Sequence, residues 1–277
     1  MKEYWLAVIS KEGKEKWLER KLELSKKREA EIVRYKLKGA KFRQHAYDGM
    51  REVHYLLKAH FLIKQKGSFY IEENIIPYVL QEKDGRKIHR LIEKQKLALK
   101  DIELERGKEM KANEFVRAYD RRAAVGYANR WWNDYNPAYP SFDNDCTNYV
   151  SQCLRAGGAP MTGMPKGEVG WWYERDKWSY SWSVAHSLRW YLSGAESGLI
   201  GVEVDVAEKL LPGDVICYDF EGDNRWDHTT IVVAKDAEGM PLVNAHTNSS
   251  RNRYWSYEDS LAWTPNIKYK FFTIKIV

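Results

Sequence analysis

The sequence predicts an α+β protein in two parts, and three observations carry that prediction. Charge divides unevenly: residues 1–112 hold 28 Lys and Arg against 18 Asp and Glu, a net +10, whereas residues 113–277 come to −4. Ten of the twelve tryptophans lie between Trp131 and Trp263. Apolar residues alternate strictly from Val53 to Ile63, the period of a strand, but recur at three- and four-residue spacing from Cys146 to Leu154, the period of a helix. A boundary near residue 112 follows, with a smaller basic α+β domain over 1–112 and a second α+β domain over 113–277.

Composition excludes several classes. With 277 residues and 44% hydrophobic content, the chain has ample material for a buried core and is not globally disordered. The apolar stretch Tyr4 to Ile9 is about six residues, shorter than the roughly 7 to 15 of a signal-peptide core, so synthesis in the cytoplasm is expected, with later association to spore or wall left open. No run of 18 apolar residues predicts a membrane span. Three cysteines are too few and too odd in number for a disulfide scaffold, leaving structural, metal-binding or catalytic thiols. No cofactor is expected.

In the first part, residues 14–38 combine strong helix formers with little Gly and no Pro, and a charged surface helix is expected. The strand through Val53, Tyr55, Leu57, Ala59, Phe61 and Ile63 turns at Lys66-Gly67 into a second strand, which Pro77 marks as an edge or bulged one. His54 and His60 share a face but lie too far apart along a strand to share a metal. Ile88 to Met110 is again charged and helix-forming. The basic residues here are interleaved with Glu, as on a solvated helix; if they bind anything, an anionic polymer fits, and no specific nucleic acid is expected.

The second part opens on a helical pattern, Phe115, Tyr119, Ala123, Tyr127 and Trp131, ended by WWNDYNPAYP. Next, Cys146, Tyr149, Val150, Cys153 and Leu154 form one buried stripe, stopped by Gly157-Gly158, with Asp143 or Asp145 as the N-cap. Cys146 then stands at the helix start, where unpaired N–H groups and the helix dipole favour a thiolate. Cys153, on the same stripe, and Cys217, in the strand after the Pro212-Gly213-Asp214 turn, read as core. Of the histidines, His186 leaves its helix's apolar stripe and reads as surface. His228 opens the strand HTTIVVA and His246 closes the next, PLVNAH, so the two can stand side by side if the hairpin register allows.

The segments RRAAVGYANRWWNDYNPAY, DCTNYVSQCLRAGGAPM and GWWYERDKWSYSWSVAHSLRWYL resemble the "Putative amidase domain" family of bacilli, and the order of Cys and His resembles the NlpC/P60 and CHAP papain-like cysteine peptidases and amidases. The resemblance covers about residues 115 to 262. It implies a papain-like α+β domain with a nucleophile helix packed on a small antiparallel sheet, and hydrolysis of an amide bond. It assigns Cys146 as nucleophile, His228 as general base and acid, and His246 as the third, polar residue that orients the His228 ring. Asn244 and Asp227 rival His246 for that place. Asp145 and Asn148 are expected to shape the site around an oxyanion hole that uses the Cys146 backbone N–H.

Trp172, Tyr173, Trp178, Tyr180 and Trp182, with Trp171, are candidates to line a substrate groove, with core packing as the competing role for at least half of them. Peptide or peptidoglycan amides are the expected substrate class. Two rival readings are a non-catalytic wall- or polymer-binding module with the same fold, and a zinc site built from Cys146, His228 and His246.

Overall fold

The computed structural model describes residues 2–9, 15–92 and 118–277. In chain order these form α1 (Lys2–Ile9), α2 (Lys16–Lys27), β1 (Ala30–Tyr47), β2 (Met50–Gln65), β3 (Ser68–Lys83), β4 (Arg86–Leu91), α3 (Arg121–Trp131) and α4 (Cys146–Ala156). Then follow β5 (Tyr173–Glu174), β6 (Lys177–Trp178), α5 (Tyr180–Ser183), α6 (Ala185–Gly194), β7 (Leu199–Val204), β8 (Val215–Asp219), β9 (His228–Lys235), β10 (Pro241–Ala245), β11 (Ser250–Tyr254) and β12 (Lys268–Ile276). The chain divides into two compact units: Met1–Leu97 with Asn248–Arg253 and Tyr257–Leu261, and Ala98–Thr247 with Tyr254–Ser256 and Ala262–Val277. The expected boundary at residue 112 lies outside the described residues.

The first unit is built from long antiparallel strands in the order β1-β2-β3. Two-residue turns at Asp48-Gly49, Lys66-Gly67 and Asp84-Gly85, every residue with positive φ, close its three hairpins. Such turns match the twist of paired strands. The alternation expected in β2 is present: Val53, Tyr55, Leu57, Ala59, Phe61 and Ile63 are all buried. Trp5 of α1 and Trp17 of α2 join the same core, donating from Nε1 to the hydroxyls of Tyr55 at 3.2 Å and Tyr78 at 2.8 Å.

Three expectations change here. The helix expected over 14–38 ends at Lys27; Glu29 is left-handed (φ 52°), and the remainder enters β1, whose pairing with β2 overrides local helix propensity. The helix expected from Ile88 begins instead as β4, paired with the second half of β3, and residues 93–110 lie outside the described set. Pro77 is not at a free edge. Opposite β2, the partner of β3 changes from β11, at Glu73 and Asn74, to β4, from Tyr78 onward, and Pro77, which has no N–H to donate, sits at the changeover.

The segment Asn248–Arg253 and Tyr257–Leu261 is held in this unit by buried charge. Lys21 bonds Glu72 and lies 2.6 Å from Asp259, and Arg253 donates to Asp259 from Nε at 3.1 Å and Nη2 at 3.0 Å. Burial alone would raise the Asp259 carboxyl, but Arg253 and Lys21 outweigh it and hold the pKa below the usual carboxylate range.

In the second unit the antiparallel order is β10-β9-β8-β12-β7. The core gathers Ala124 and Ala128 of α3, Tyr149, Val150, Cys153 and Leu154 of α4, Leu188 and Leu192 of α6, and Val215, Cys217 and Ile231 of the sheet. α3 starts at Arg121, capped by the Asp120 carboxylate accepting from Ala123 N–H at 2.9 Å, so Tyr119 precedes the helix and Phe115 lies outside the described residues. α4 runs as its stripe predicts and stops at Gly157-Gly158; a Cβ on Gly157 would meet the Tyr119 ring at 2.3 Å.

Removing Lys21 leaves the buried Glu72 carboxylate without a cation and Asp259 with Arg253 alone. Lys21→Met is therefore expected to lower the stability of the first unit by about 3 to 5 kcal/mol, read as lost amide-exchange protection over residues 248–261. Asp259 has a depressed folded-state pKa, so its contribution is complete above the ordinary carboxylate pKa of about 4 and is lost on acidification below it. The protection of that segment is expected to fall first as pH drops from 5 to about 2, and Lys21→Met is expected to flatten the dependence.

Candidate active site

Cys146 is the first residue of α4 and is 5% exposed, whereas Cys153 and Cys217 are fully buried in the core. All three are free thiols. Burial pushes the pKa values of Cys153 and Cys217 well up, which keeps both protonated and inert. The separation of Cys146 from its two counterparts is thus set by place in the fold.

Asp145 occupies the Ncap position, but its side chain makes no cap hydrogen bond. Instead, Oδ1 accepts from the Phe142 N–H at 3.0 Å and from Asn148 Nδ2 at 2.9 Å, while Oδ2 lies 2.7 Å from His246 Nδ1. The N–H groups of the first helical turn are consequently not bonded by this carboxylate, and the Cys146 thiol lies 3.7 Å from Thr147 Oγ1. Asn148 is likewise committed, donating to Pro140 O at 2.8 Å and accepting from Trp182 Nε1 at 2.9 Å. Both residues expected to shape the site are therefore fully buried and tie the helix start to the loop before it.

His246 is brought to this helix start, although in a different role from the expected one. Its Nδ1 meets Asp145 and its Nε2 lies 2.7 Å from the Trp131 carbonyl oxygen, so neither nitrogen is left to orient His228. A proton on each nitrogen satisfies both bonds; with one proton, one acceptor loses its donor. The ring stacks on Tyr149 at 4.0 Å and meets the edge of Tyr135 at 5.1 Å. The next residue, Thr247, has φ 79°, a costly conformation for a β-branched residue, and its Oγ1 accepts from the Asp145 N–H at 3.2 Å. Asn244 is fully buried on β10 opposite Ile231, and donates from Nδ2 to Asn129 Oδ1 at 3.2 Å.

His228 opens β9 as expected, paired with Tyr218, its ring tilted against that of Tyr218 at 5.6 Å and stacked on that of Phe220 at 6.1 Å. The start of β9 meets the start of α4 through Thr147 and Thr229, whose hydroxyl oxygens are 3.1 Å apart. The residues beside Cys146 and His228 are thus in contact. Asp227 accepts from the Phe220 N–H at 3.1 Å. His186, expected at the surface, is half-buried, with Trp226 N–H at 3.3 Å from Nδ1 and Trp190 Nε1 at 3.1 Å from Nε2.

The aromatic candidates separate by burial. Trp171, Trp172 and Trp182 are core, their indole N–H groups bonded to Ser151 Oγ, the Lys166 and Val169 carbonyls, and Asn148 Oδ1 respectively. Tyr173 and Trp178 are half-buried and Tyr180 is exposed, and Trp178 packs at 5.0 Å on Phe142, in the loop that bonds Asp145. A groove can draw on these three, with Phe142 an addition that sequence reasoning missed; an isolated Phe in a polar loop is the signal that could have found it.

Among the described residues, the one set of three or more His, Cys, Asp or Glu ligand atoms within 4.8 Å of one another is Asp219, Glu221 and Asp227. Cys146, His228 and His246 do not converge into a zinc ligand set.

The family described as "Putative amidase domain" matches residues 118–272, more than half of the chain. The chain belongs to this amidase family. Amidases hydrolyse amide bonds, and at that level the family gives the activity. The uncharacterized protein YhbB of Bacillus subtilis (strain 168) is 48% identical over 96% of this chain and 88% of its own length, so the likeness extends through the first unit. The uncharacterized protein YjcM of the same organism is 30% identical over half of this chain and 33% of its own length. No solved structure matches.

In the folded protein, a thiol-specific alkylating reagent near neutral pH is expected to modify Cys146 at least about tenfold faster than Cys153 or Cys217. Peptide mapping of the alkylated protein before and after denaturation measures this; equal labelling of all three thiols would contradict the assignment.

Proposed function

We propose that this amidase works by cysteine catalysis, with Cys146 as nucleophile and His228 as the proton-transfer group. One observation supports this above the others: Cys146 begins a buried helix whose Ncap carboxylate is turned away, and that helix start abuts the strand that His228 opens. His228 is favoured for the exchange of protons because it opens β9, whose start meets the start of α4 at the Thr147–Thr229 contact.

In the proposed reaction, His228 removes the thiol proton as sulfur attacks the carbonyl carbon. The resulting oxyanion lies at the first-turn N–H groups, that of Cys146 included. Collapse breaks the C–N bond, His228 returns the proton to the leaving amine, and water then hydrolyses the thioester. Asp145 and His246 act by holding the helix start and the end of β10 in place. This reading carries with it a papain-like domain related to NlpC/P60 and CHAP enzymes, for which a helix-borne cysteine over an antiparallel sheet is the supporting likeness. Its substrate class is the peptide amides of cell-wall peptidoglycan.

Cys146→Ala and His228→Ala are each expected to lower kcat/KM by roughly 10³-fold or more with the fold intact. Mass spectrometry of peptidoglycan digests compares wild type with Cys146→Ala: new peptide-stem termini released only by wild type support the full proposal, and no difference removes the wall substrate. If Cys146→Ala equals wild type on every amide tried, cysteine catalysis is wrong.

The open face of the β1–β2 hairpin presents Arg34, Lys36, Lys38, Arg43 and Lys58, which supports contact with an anionic polymer. Binding of the full chain to such a polymer is expected to weaken steeply between about 50 and 200 mM salt, and salt-independent retention would rule the contact out.

A further inference from the structure

Between α6, the loop before β9 and β12 lies a cavity of about 480 Å³, within the usual range of small-ligand sites. Three cations line it, Arg189, Lys268 and Lys270, together with the flat side chains of Trp190, Trp226 and Tyr269. No carboxylate is in the lining.

Arg189 is the unusual member. It is 7% exposed, yet its bonds are limited to Nη1 donating to Ser193 Oγ at 3.0 Å and the faces of Trp190 and Trp226 at 3.7 and 5.3 Å, and its Nε has no partner. Among the described residues no carboxylate bonds this buried guanidinium directly; Glu203, which is bonded to Lys270, acts on it only through space, so part of its desolvation is left for an anion in the cavity to offset. The neighbouring cations are differently placed: Lys270 is bonded to Glu203, and the exposed Lys268 reaches Asn224 Oδ1 at 3.0 Å. The Trp190 indole Nε1 and the Trp226 backbone N–H both meet the His186 ring, which ties the Trp190 indole and the Trp226 main chain to the same side chain.

We propose that this cavity binds a small ligand carrying a carboxylate or phosphate, the oxyanion at Arg189 and Lys268 and an apolar portion against Trp190 and Trp226. The proposal does not depend on Cys146 chemistry.

The test is isothermal titration of the full-length Cys146→Ala protein, which excludes turnover of the probes, with N-acetylphenylalanine, its neutral amide and phenyl phosphate. At least one anionic probe is expected to bind about tenfold or more tighter than the amide, and the order of the two anions identifies the preferred oxyanion. Adding Arg189→Met is expected to reduce that probe to the level of the amide. Lys268→Met, a surface change that serves if the Arg189 variant fails to fold, is expected to weaken the anion about threefold or more and leave the amide unchanged. The proposal is overturned if anions and amide bind alike, if none binds at roughly 10 mM, or if Lys268→Met binds the anion as its parent does.

Discussion

The Asp145 carboxylate is the constraint on which the catalytic half is arranged. It is fully buried, and three separate pieces of chain bond to it: the loop at Phe142, the helix at Asn148, and the end of β10 at His246. Its backbone N–H adds a fourth link, to Thr247. A buried carboxylate is tolerated only when its oxygens are satisfied, so these partners are held as a set. Because the carboxylate is turned toward them, it does not cap α4, and Cys146 sits above a helix start whose N–H groups that side chain leaves alone.

The same helix shows how position sorts chemically identical groups. Cys146 and Cys153 lie seven residues apart on one stripe, and the helix dipole falls off within the first turn. Cys153 is instead surrounded by the core of Tyr149, Leu154 and Leu188, and burial holds its thiol protonated. The tryptophans divide similarly. Trp171 and Trp182 pack on each other at 4.9 Å and direct their N–H groups to Ser151 and Asn148, stiffening α4 from behind, while Trp178 and Trp190 remain partly open.

The first unit depends on a segment distant in sequence. Asn248 follows Thr247 directly, and the chain from there to Leu261 contributes Arg253 and Asp259 to the buried charges around Lys21. An ion network of this kind contributes specificity of pairing more than net stability, since two salt-bridged charges in the interior roughly offset their own desolvation. It selects one place for residues 248–261 that apolar packing alone would leave less defined.

Much was legible in the chain itself. Strict alternation identified β2 and its buried face, and Lys66-Gly67 its turn, because a period of two leaves one way to bury one face. The stripe from Cys146 to Leu154 with its Gly stop gave α4, and the PGD turn and β-branched run gave β8 and β9. Asp48-Gly49 and Asp84-Gly85 were equally strong hairpin signals that helix propensity masked, so β1 and β4 were missed.

The sequence by itself determined the two-part division of charge, the local periods of β2 and α4, and the residue types at the candidate site, since these follow from composition and chain order. Only the tertiary structure decided the partners. It turned Asp145 from a cap into the anchor of His246, moved Trp172 and Trp182 from groove to core, and placed residues 248–253 and 257–261 with the first unit. Hydrogen-bond partners and burial depend on which strands and loops meet across a hundred residues, and no local period encodes that meeting.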